Sequence, residues 1–272
     1  MFQRNALRKY LITFELGFET ALEYRLNFAI SLISAAYPIL IQTFLWTAIY
    51  QASSEQVLFG YTYQQIIAYT LLAGLVARIV RTGFEYEIMQ DVKTGKFSKF
   101  LVQPLGYFAY RMADFLGQKV PNLVMIFAIM ILMLIGLNAV WGISVEFGRI
   151  LLFLVTLALA VALNFVIFYC VSAIAFWIVE IGFLFEGVRI VIILLSGGIF
   201  PLEVFGETFV RIIDLLPFKY TVSYPINVLN GKVVDADILP HMLVQCFWIA
   251  ACALLARGLW RIGSRRFVAV GG

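Results

Sequence analysis

Charged residues are scarce in this sequence, and their scarcity decides which class of protein it can encode. Only 13% of the 272 residues are charged, whereas 62% are hydrophobic and 16% are aromatic. Soluble domains contain about 25% charged residues, because a chain of this size needs a polar surface to remain dissolved. The composition therefore excludes an ordinary soluble domain and indicates a membrane protein.

Residues suited to catalysis or metal binding are also scarce. The chain contains one histidine, His241, and three cysteines, all of which lie in long apolar runs: Cys170, Cys246 and Cys252. This distribution shows neither the spacing of a metal site nor that of a disulfide framework. Paired carboxylates beside a base and a Ser/His/Asp set are absent as well. The sequence therefore favours a protein that is not an enzyme.

A nucleotide-binding loop is missing, although "VKTGKFSK" looks like one at first. The Walker pattern G-x-x-x-x-G-K-[ST] requires glycine where this chain has Gln90. It also requires a hydroxyl after Lys96, where Phe97 stands. The sequence therefore predicts that this chain does not bind ATP through that loop, and it shows no other cofactor signature.

Six runs without Lys, Arg, Asp or Glu locate the predicted membrane spans. They are residues 26–54, 56–77, 120–145, 150–179, 190–202 and 238–256. A helix needs about 20 apolar residues to cross the hydrocarbon core, so five runs are long enough. The fifth in order reaches that length only when it is extended back to about residue 181. The sequence predicts six transmembrane helices, with both termini on one side of the membrane.

The basic residues are distributed asymmetrically between the predicted sides. Of the 20 Lys and Arg residues, four precede the first span, seven lie between the second and third spans, and four follow the last. Basic residues concentrate in cytoplasmic segments, so both termini and the central segment are predicted to be cytoplasmic. The net charge of +4 is explained by this orientation and by contact with the inner leaflet, without nucleic acid as a partner.

Residues 1–25 are predicted to form an amphipathic helix. Leu7, Leu11, Phe14 and Phe18 recur at steps of three and four, while charged residues occupy the other positions. Such a helix lies in the membrane interface and contacts membrane lipids. A solvated helix is the alternative.

The most charge-dense segment lies between the second and third spans, at residues 84–104. It opens with Glu85, Glu87 and Asp91, breaks near Gly95 and stops before Pro104. Acidic residues near a helix start and a glycine after its end are typical of a short helix. We expect a cytoplasmic helix here, with a plain solvated loop as the alternative.

A second unusual segment, at residues 196–237, follows the fifth span on the predicted outer side. Gly197, Gly198 and Pro201 interrupt the span, and Pro217 ends an amphipathic stretch that follows. Non-helical backbone at membrane depth must be sheltered by protein or must face water. We expect helices that re-enter the outer leaflet; the alternative is an interfacial helix without a role in transport.

Three ionisable residues, Glu180, Glu186 and Arg189, lie at or near the start of the fifth span. Charged side chains at membrane depth are costly and mark pathways or contacts between subunits. Glu186 and Arg189 are three residues apart, so they can pair on one face of a helix. The alternative is that they lie at the inner interface and extend toward water.

These motifs together resemble the type-2 exporter permeases of ATP-binding-cassette (ABC) transporters, in particular the viologen-exporter-like branch. The resemblance covers essentially the whole chain, and "DVKTGKFSKFLVQPL", "LLSGGIFPLEVF", "LLPFKYTVSYPINVLNGK" and "RRFVAVGG" carry it. In the central segment, Asp91, Gly95, Phe97, Leu101 and Pro104 match the family pattern. Lys93 and Gln103 stand where arginine is commoner among the relatives.

The resemblance implies that the chain is the permease subunit of an exporter in the bacterial inner membrane. Its central segment would dock on a separate cytoplasmic ATPase, which binds the ATP and Mg. A second copy or a homologous permease would complete the substrate path. The residues assigned to coupling are Glu85, Glu87, Asp91, Gly95, Lys96, Phe97, Leu101 and Pro104. Those assigned to the extracellular gate are Gly197, Gly198, Pro201 and Pro217.

Two other functions remain open at this point. One is a permease for lipid-linked polysaccharides, which a neighbouring glycosyltransferase gene would favour. The other is a channel or membrane scaffold without nucleotide coupling, which would neither co-purify with an ATPase nor stimulate one.

Overall fold

A computed structural model describes residues 2–23, 25–102, 106–143, 145–178 and 180–267, without the side chains of residues 2–7, 25–29, 31, 32, 34, 35 and 101. Pro104 therefore lies outside the described residues, and so does the side chain of Leu101.

The described chain is built almost entirely of helices. They are α1 Phe2–Glu23, α2 Arg25–Ala52, α3 Tyr63–Val80, α4 Phe84–Lys93, α5 Ser98–Val102, α6 Tyr107–Trp141, α7 Phe147–Ser172, α8 Gly182–Leu195, α9 Glu207–Asp214, α10 Ser223–Leu229 and α11 Asp235–Arg266. Short 3-10 turns cover Ala173–Phe176, Leu202–Phe205 and Phe218–Thr221. A two-stranded antiparallel hairpin, β1 Val57–Leu58 and β2 Tyr61–Thr62, joins α2 to α3.

Four helical stretches are long and apolar enough to cross a membrane: residues 63–93, 107–141, 147–176 and 235–266. This agrees with the prediction of an all-α membrane protein. The count of six spans stays a prediction. Helices α2 and α8 occupy the places of the two further spans, but α8 has only 14 residues. Its length is about 21 Å, which is less than the roughly 30 Å of the hydrocarbon core.

Helix α1 packs closely along the first turns of α6. Two glycines make this approach possible: a Cβ at Gly17 would lie 2.6 Å from the carbonyl oxygen of Asp114, and a Cβ at Gly117 would collide with the carbonyl of Phe14. The hydroxyl of Tyr10 also accepts a hydrogen bond from the backbone N–H of Gly106, at 3.0 Å. The predicted interfacial helix is thus attached to the body of the chain.

Helix α7 lies at the centre of the fold, packed against α3, α10 and α11. Apolar side chains on the outer helices point away from this core; Leu132 of α6 and Leu254 of α11 are both 69% exposed. Extended apolar surfaces of this kind are rare on soluble monomers. They fit contact with lipid or with another membrane helix.

Candidate coupling segment and outer turn

The central segment, residues 84–102, consists of α4, a tight turn and α5. Gly95 has a positive φ of 74°, a conformation that glycine adopts without steric cost. The turn satisfies carbonyl groups at the end of α4: the N–H of Gly95 bonds to Val92 at 3.2 Å, and that of Phe97 bonds to Asp91 at 3.0 Å. The predicted break of the helix near Gly95 is confirmed.

Helix α4 is tied to α8 by a buried ion pair. The Glu85 side chain is fully buried, and Arg189 of α8 donates a hydrogen bond to its carboxylate. Arg189 also bonds to Glu186 at 3.1 Å, so the predicted pairing of these two residues on one face of a helix is confirmed. Tyr86 of α4 donates to Glu186 as well. The charged residues of α8 therefore contact the central segment.

A second buried arginine ties α4 to α6. Arg111 is 5% exposed and pairs with both Glu87 and Asp91 of α4. Asp114 lies 3.5 Å from the same guanidinium. The Tyr107 hydroxyl donates to Asp91 at 2.8 Å. This group of charges holds one face of α4 against the start of α6.

Two further contacts lie on either side of the turn between α4 and α5. Lys93 pairs with Glu180, and the hydrogen bond from this lysine lowers the pKa of the Glu180 carboxyl. Phe97 is buried in an aromatic cluster, with ring centroids 5.0 Å from Tyr107 and 5.9 Å from Trp260. The turn between α4 and α5 is thereby anchored to α6 and α11.

The resemblance assigns Glu85, Glu87 and Asp91 to coupling. Glu85 and Asp91 are buried and pair with Arg189 and Arg111 of other helices, so neither is among the exposed side chains of the segment. The exposed side chains of the segment are Gln90, Lys93, Thr94, Lys96, Lys99 and Val102, while Glu87 is half-buried. The exposed charged side chains of the segment are therefore all basic.

Sequence reasoning missed Arg111 and Lys119 as parts of this site. Lys119 of α6 is 8% exposed and donates to the carbonyl of Arg81, just beyond the end of α3. Carbonyl groups at a helix end lack partners within the helix, so this lysine supplies one. The available signal was that both residues precede an apolar run, which continues the same helix.

The outer turn, residues 196–198, follows α8 and is buried. Gly197 has a positive φ of 78°, and its carbonyl accepts a hydrogen bond from Tyr69 of α3 at 2.8 Å. The carbonyl of Ser196 accepts the N–H of Ser223 at 2.9 Å. Non-helical backbone at this turn is therefore satisfied by protein groups.

The segment after the outer turn is held against α7 and α11. Pro201 and Pro217 each precede a 3-10 turn. Gln245 of α11 is fully buried and donates to the carbonyls of Tyr220 and Thr156, both at 3.0 Å. These bonds join the 3-10 turn Phe218–Thr221 to the two long helices α7 and α11.

A polar cluster joins the 3-10 turn Leu202–Phe205 to the β-hairpin. Lys232 lies 3.0 Å from Glu203 and 3.2 Å from the centroid of the Tyr61 ring. The Tyr61 hydroxyl donates to Glu203 at 3.2 Å. Burial raises the pKa of Tyr61 and lowers that of Lys232. The outer segment is thus bound at several points along its length.

Gly197→Ala is expected to destabilise the chain by about 1–3 kcal/mol, which combines backbone strain and overpacking. A Cβ there would lie 2.6 Å from the Tyr69 hydroxyl and 3.0 Å from Ser223. Gly142→Ala is the matched control, because Gly142 also has a positive φ but has open space around it. Unfolding of both variants in detergent measures the difference. Equal losses would show that the contact with Tyr69 contributes nothing.

The central segment and the outer turn are joined by helix α8. Among the described residues, no group of three His, Cys, Asp or Glu side chains could hold a metal ion. Helix α8 connects the two sites directly, since Arg189 near its middle contacts α4 and its C-terminal end leads into the outer turn. A displacement of α4 can therefore reach the outer segment through one helix.

Comparison with protein families identifies the class of transporter. The family model described as "ABC-2 family transporter protein" matches residues 36–271. No curated protein and no solved structure matches the chain. The matched range runs from within α2 to beyond α11 and so includes the central segment and the outer turn. This family is a membrane component of ABC transporters without an ATPase of its own. The chain therefore belongs to the ABC-2 transporter family and is a multi-pass permease of an ABC transporter.

Proposed function

We propose that this chain is one permease of an exporter in the bacterial inner membrane, driven by a separate cytoplasmic ATPase that docks on the central segment. The proposal rests on the difference between the two faces of α4. One face is tied to α6 and α8 through Glu85, Glu87 and Asp91, while the accessible surface of the segment is basic. A partner that pulls on this surface would move both α6 and α8.

The buried ion pairs make this connection stiff. Removing one partner of a buried pair costs about 3–5 kcal/mol, because the remaining charge is left without compensation. An ATPase would therefore displace α4 together with Arg111 and Arg189 rather than separate the charges. Through α8, the same displacement would alter the outer turn at Gly197 and Gly198, which we propose as part of the extracellular gate together with Pro201 and Pro217.

We propose that α2, α3, α6, α7 and α11 each cross the membrane, and that α8 with the outer segment forms the remaining span. The short length of α8 and the buried, hydrogen-bonded turn after it support an outer segment that lies partly within the bilayer. Two such permeases, identical or homologous, would enclose the substrate path. The order of the sequence motifs supports the viologen-exporter-like branch of these exporters.

The proposed orientation predicts that Thr94 and Asn230 lie on opposite sides of the membrane. Both side chains are exposed, so a cysteine at either position can react with a thiol reagent. In a chain whose three native cysteines are replaced by serine, Asn230→Cys should be labelled from outside intact cells. Thr94→Cys should react only after the membrane is permeabilised. Labelling of both positions from outside would contradict the six-span arrangement.

Docking on the basic surface predicts a charge-dependent association with the ATPase. Lys96→Glu combined with Lys99→Glu should weaken binding at least about tenfold, because like charges across an interface cost several kcal/mol. Both lysines are exposed, so folding and membrane insertion should be unchanged. Co-purification of the co-expressed ATPase measures the effect.

The matched control for this test reverses two other exposed basic residues, Arg8 and Lys9 of α1. The control variant should retain the ATPase at the wild-type ratio. If the variant with Lys96→Glu and Lys99→Glu also retained the ATPase, the ATPase would not bind through this surface. A chain that never co-purified with an ATPase would favour a channel or scaffold instead.

A further inference from the structure

A large cleft lies beside the central segment, between α6, α7 and α11. It has a volume of about 540 Å³. Its walls are apolar and aromatic, and they include Phe97, Phe100, Phe108, Tyr169 and Trp260. On α11, Ala253 and Ala256 leave room where larger side chains would fill the space. The cleft is thus shaped and lined to receive a hydrocarbon chain.

Two arginines, Arg257 and Arg261, also line the cleft, one helical turn apart on α11. Both are exposed, and among the described residues neither has a carboxylate within ion-pairing distance. They differ in this respect from Arg111 and Arg189, which are paired within the chain. Two guanidinium groups beside an apolar cleft therefore remain available for an anion from outside the chain.

The position of these arginines along α11 matches the depth of lipid headgroups. From Ile238, where the apolar run begins, to Arg257 the helix rises about 29 Å. This is close to the roughly 30 Å thickness of the hydrocarbon core, so Arg257 reaches the opposite boundary of the core. Arg261 lies about 6 Å further along the axis. Ala253 and Ala256 remain at the level of the acyl chains.

We propose that this cleft binds an anionic phospholipid of the inner leaflet. Arg257 and Arg261 would contact the phosphate, to which guanidinium groups can donate paired hydrogen bonds, and an acyl chain would occupy the aromatic cleft. Basic pockets between transmembrane helices on the cytoplasmic side are suited to acidic headgroups. A soluble anion would not bind the apolar walls. A protein partner would have to enter the cleft at the depth of the membrane.

The lipid would also contact the central segment. Phe97 and Phe100 belong both to the wall of the cleft and to residues 84–102. Phe97 is packed against Trp260, which donates to the carbonyl of Tyr169 at 3.0 Å. Trp260 lies beyond Arg257 along α11, so a bound lipid would contact this part of the segment at the headgroup level and would brace it against α7 and α11. The binding itself does not depend on the presence of an ATPase.

Native mass spectrometry of the purified, delipidated chain tests the proposal. Phosphatidylglycerol and phosphatidylcholine of equal chain length are added separately, and the lipid retained per chain is counted. The wild-type chain should retain phosphatidylglycerol about tenfold better. Arg257→Gln with Arg261→Gln should abolish this preference. Ala253→Leu, which fills the cleft and leaves the charge unchanged, should also reduce retention of phosphatidylglycerol.

The matched control is Arg265→Gln with Arg266→Gln, which removes two exposed charges from the same helix end outside the cleft. This control should keep the preference, and added inorganic phosphate should not displace the lipid. Three results would overturn the proposal: equal retention of the two lipids by the wild-type chain, an unchanged preference in the Arg257/Arg261 variant, or the same loss in the control. Thermal melting of each variant establishes that it is folded.

Discussion

Replacing Arg111 with alanine is expected to lower the free energy of unfolding by about 3–5 kcal/mol. The guanidinium is buried and neutralises Glu87 and Asp91, with Asp114 close by. Removing it leaves the buried carboxylate of Asp91 without a cation, and α4 loses its ion pairs with α6. Unfolding of the purified chain in mixed micelles with increasing SDS, followed by tryptophan fluorescence, measures the loss.

Arg211→Ala is the matched control for this variant. Arg211 pairs with Glu207 at 3.3 Å, but both side chains are at least 80% exposed. Exposed pairs contribute about 0–1 kcal/mol, so this variant should unfold nearly as the wild-type chain does. Similar losses for Arg111→Ala and Arg211→Ala would show that the cluster on α4 does not hold the segment in place.

Arg189→Ala is expected to have an effect of similar size, about 3–5 kcal/mol. The carboxylate of Glu85 is fully buried and pairs with Arg189, and its second oxygen has no hydrogen-bond partner among the described residues. Among the described residues, Arg189 makes the ion pair with this buried carboxylate. The same SDS titration measures the effect.

Changing Glu85 instead of Arg189 tests which partner of the pair costs more stability when it is lost. In Glu85→Gln, Arg189 keeps its contact with Glu186 at 3.1 Å, so the loss should be smaller than that of Arg189→Ala. The double variant Glu85→Gln with Arg189→Gln leaves no buried charge uncompensated and should recover most of the stability. A larger loss for Glu85→Gln than for Arg189→Ala would contradict the assignment of the buried pair.

The local features of the central segment could be predicted from the sequence. Gly95 marks the break between α4 and α5, because a glycine after a helix end favours the left-handed conformation found there. The pairing of Glu186 with Arg189 was also predicted, since residues three apart lie on the same helix face. The start of α8 at Gly182 agrees with the extension of the fifth span back to about residue 181.

The partners of the acidic residues could not be predicted in the same way. Glu85 bonds to an arginine 104 positions away, and Asp91 bonds to one 20 positions away. The sequence of α4 shows that the helix carries charged residues, and such residues are typical of a solvated surface. Whether a carboxylate is buried depends on a cation that another helix supplies, and only the packing of α6 and α8 places it there.

The short length of α8 is the other feature that hydropathy did not predict. The apolar run continues to Leu202 in the sequence, whereas the helix ends at Leu195. The backbone then turns at Gly197, whose carbonyl bonds to Tyr69 of α3. Hydropathy does not register such a turn, because the residues after it are as apolar as those before it.

The central claim is that the buried tie between α4 and α8 carries the movement of the ATPase to the outer segment. The most direct measurement uses a spin label on Glu207→Cys, at the exposed start of α9, in the complex with its ATPase in proteoliposomes. ATP should change the spectrum of this label in the otherwise wild-type chain. In the variant with Glu85→Gln and Arg189→Gln, the ATPase should remain bound and hydrolyse ATP, but the ATP-dependent change should be lost. The same change in both complexes would contradict the claim.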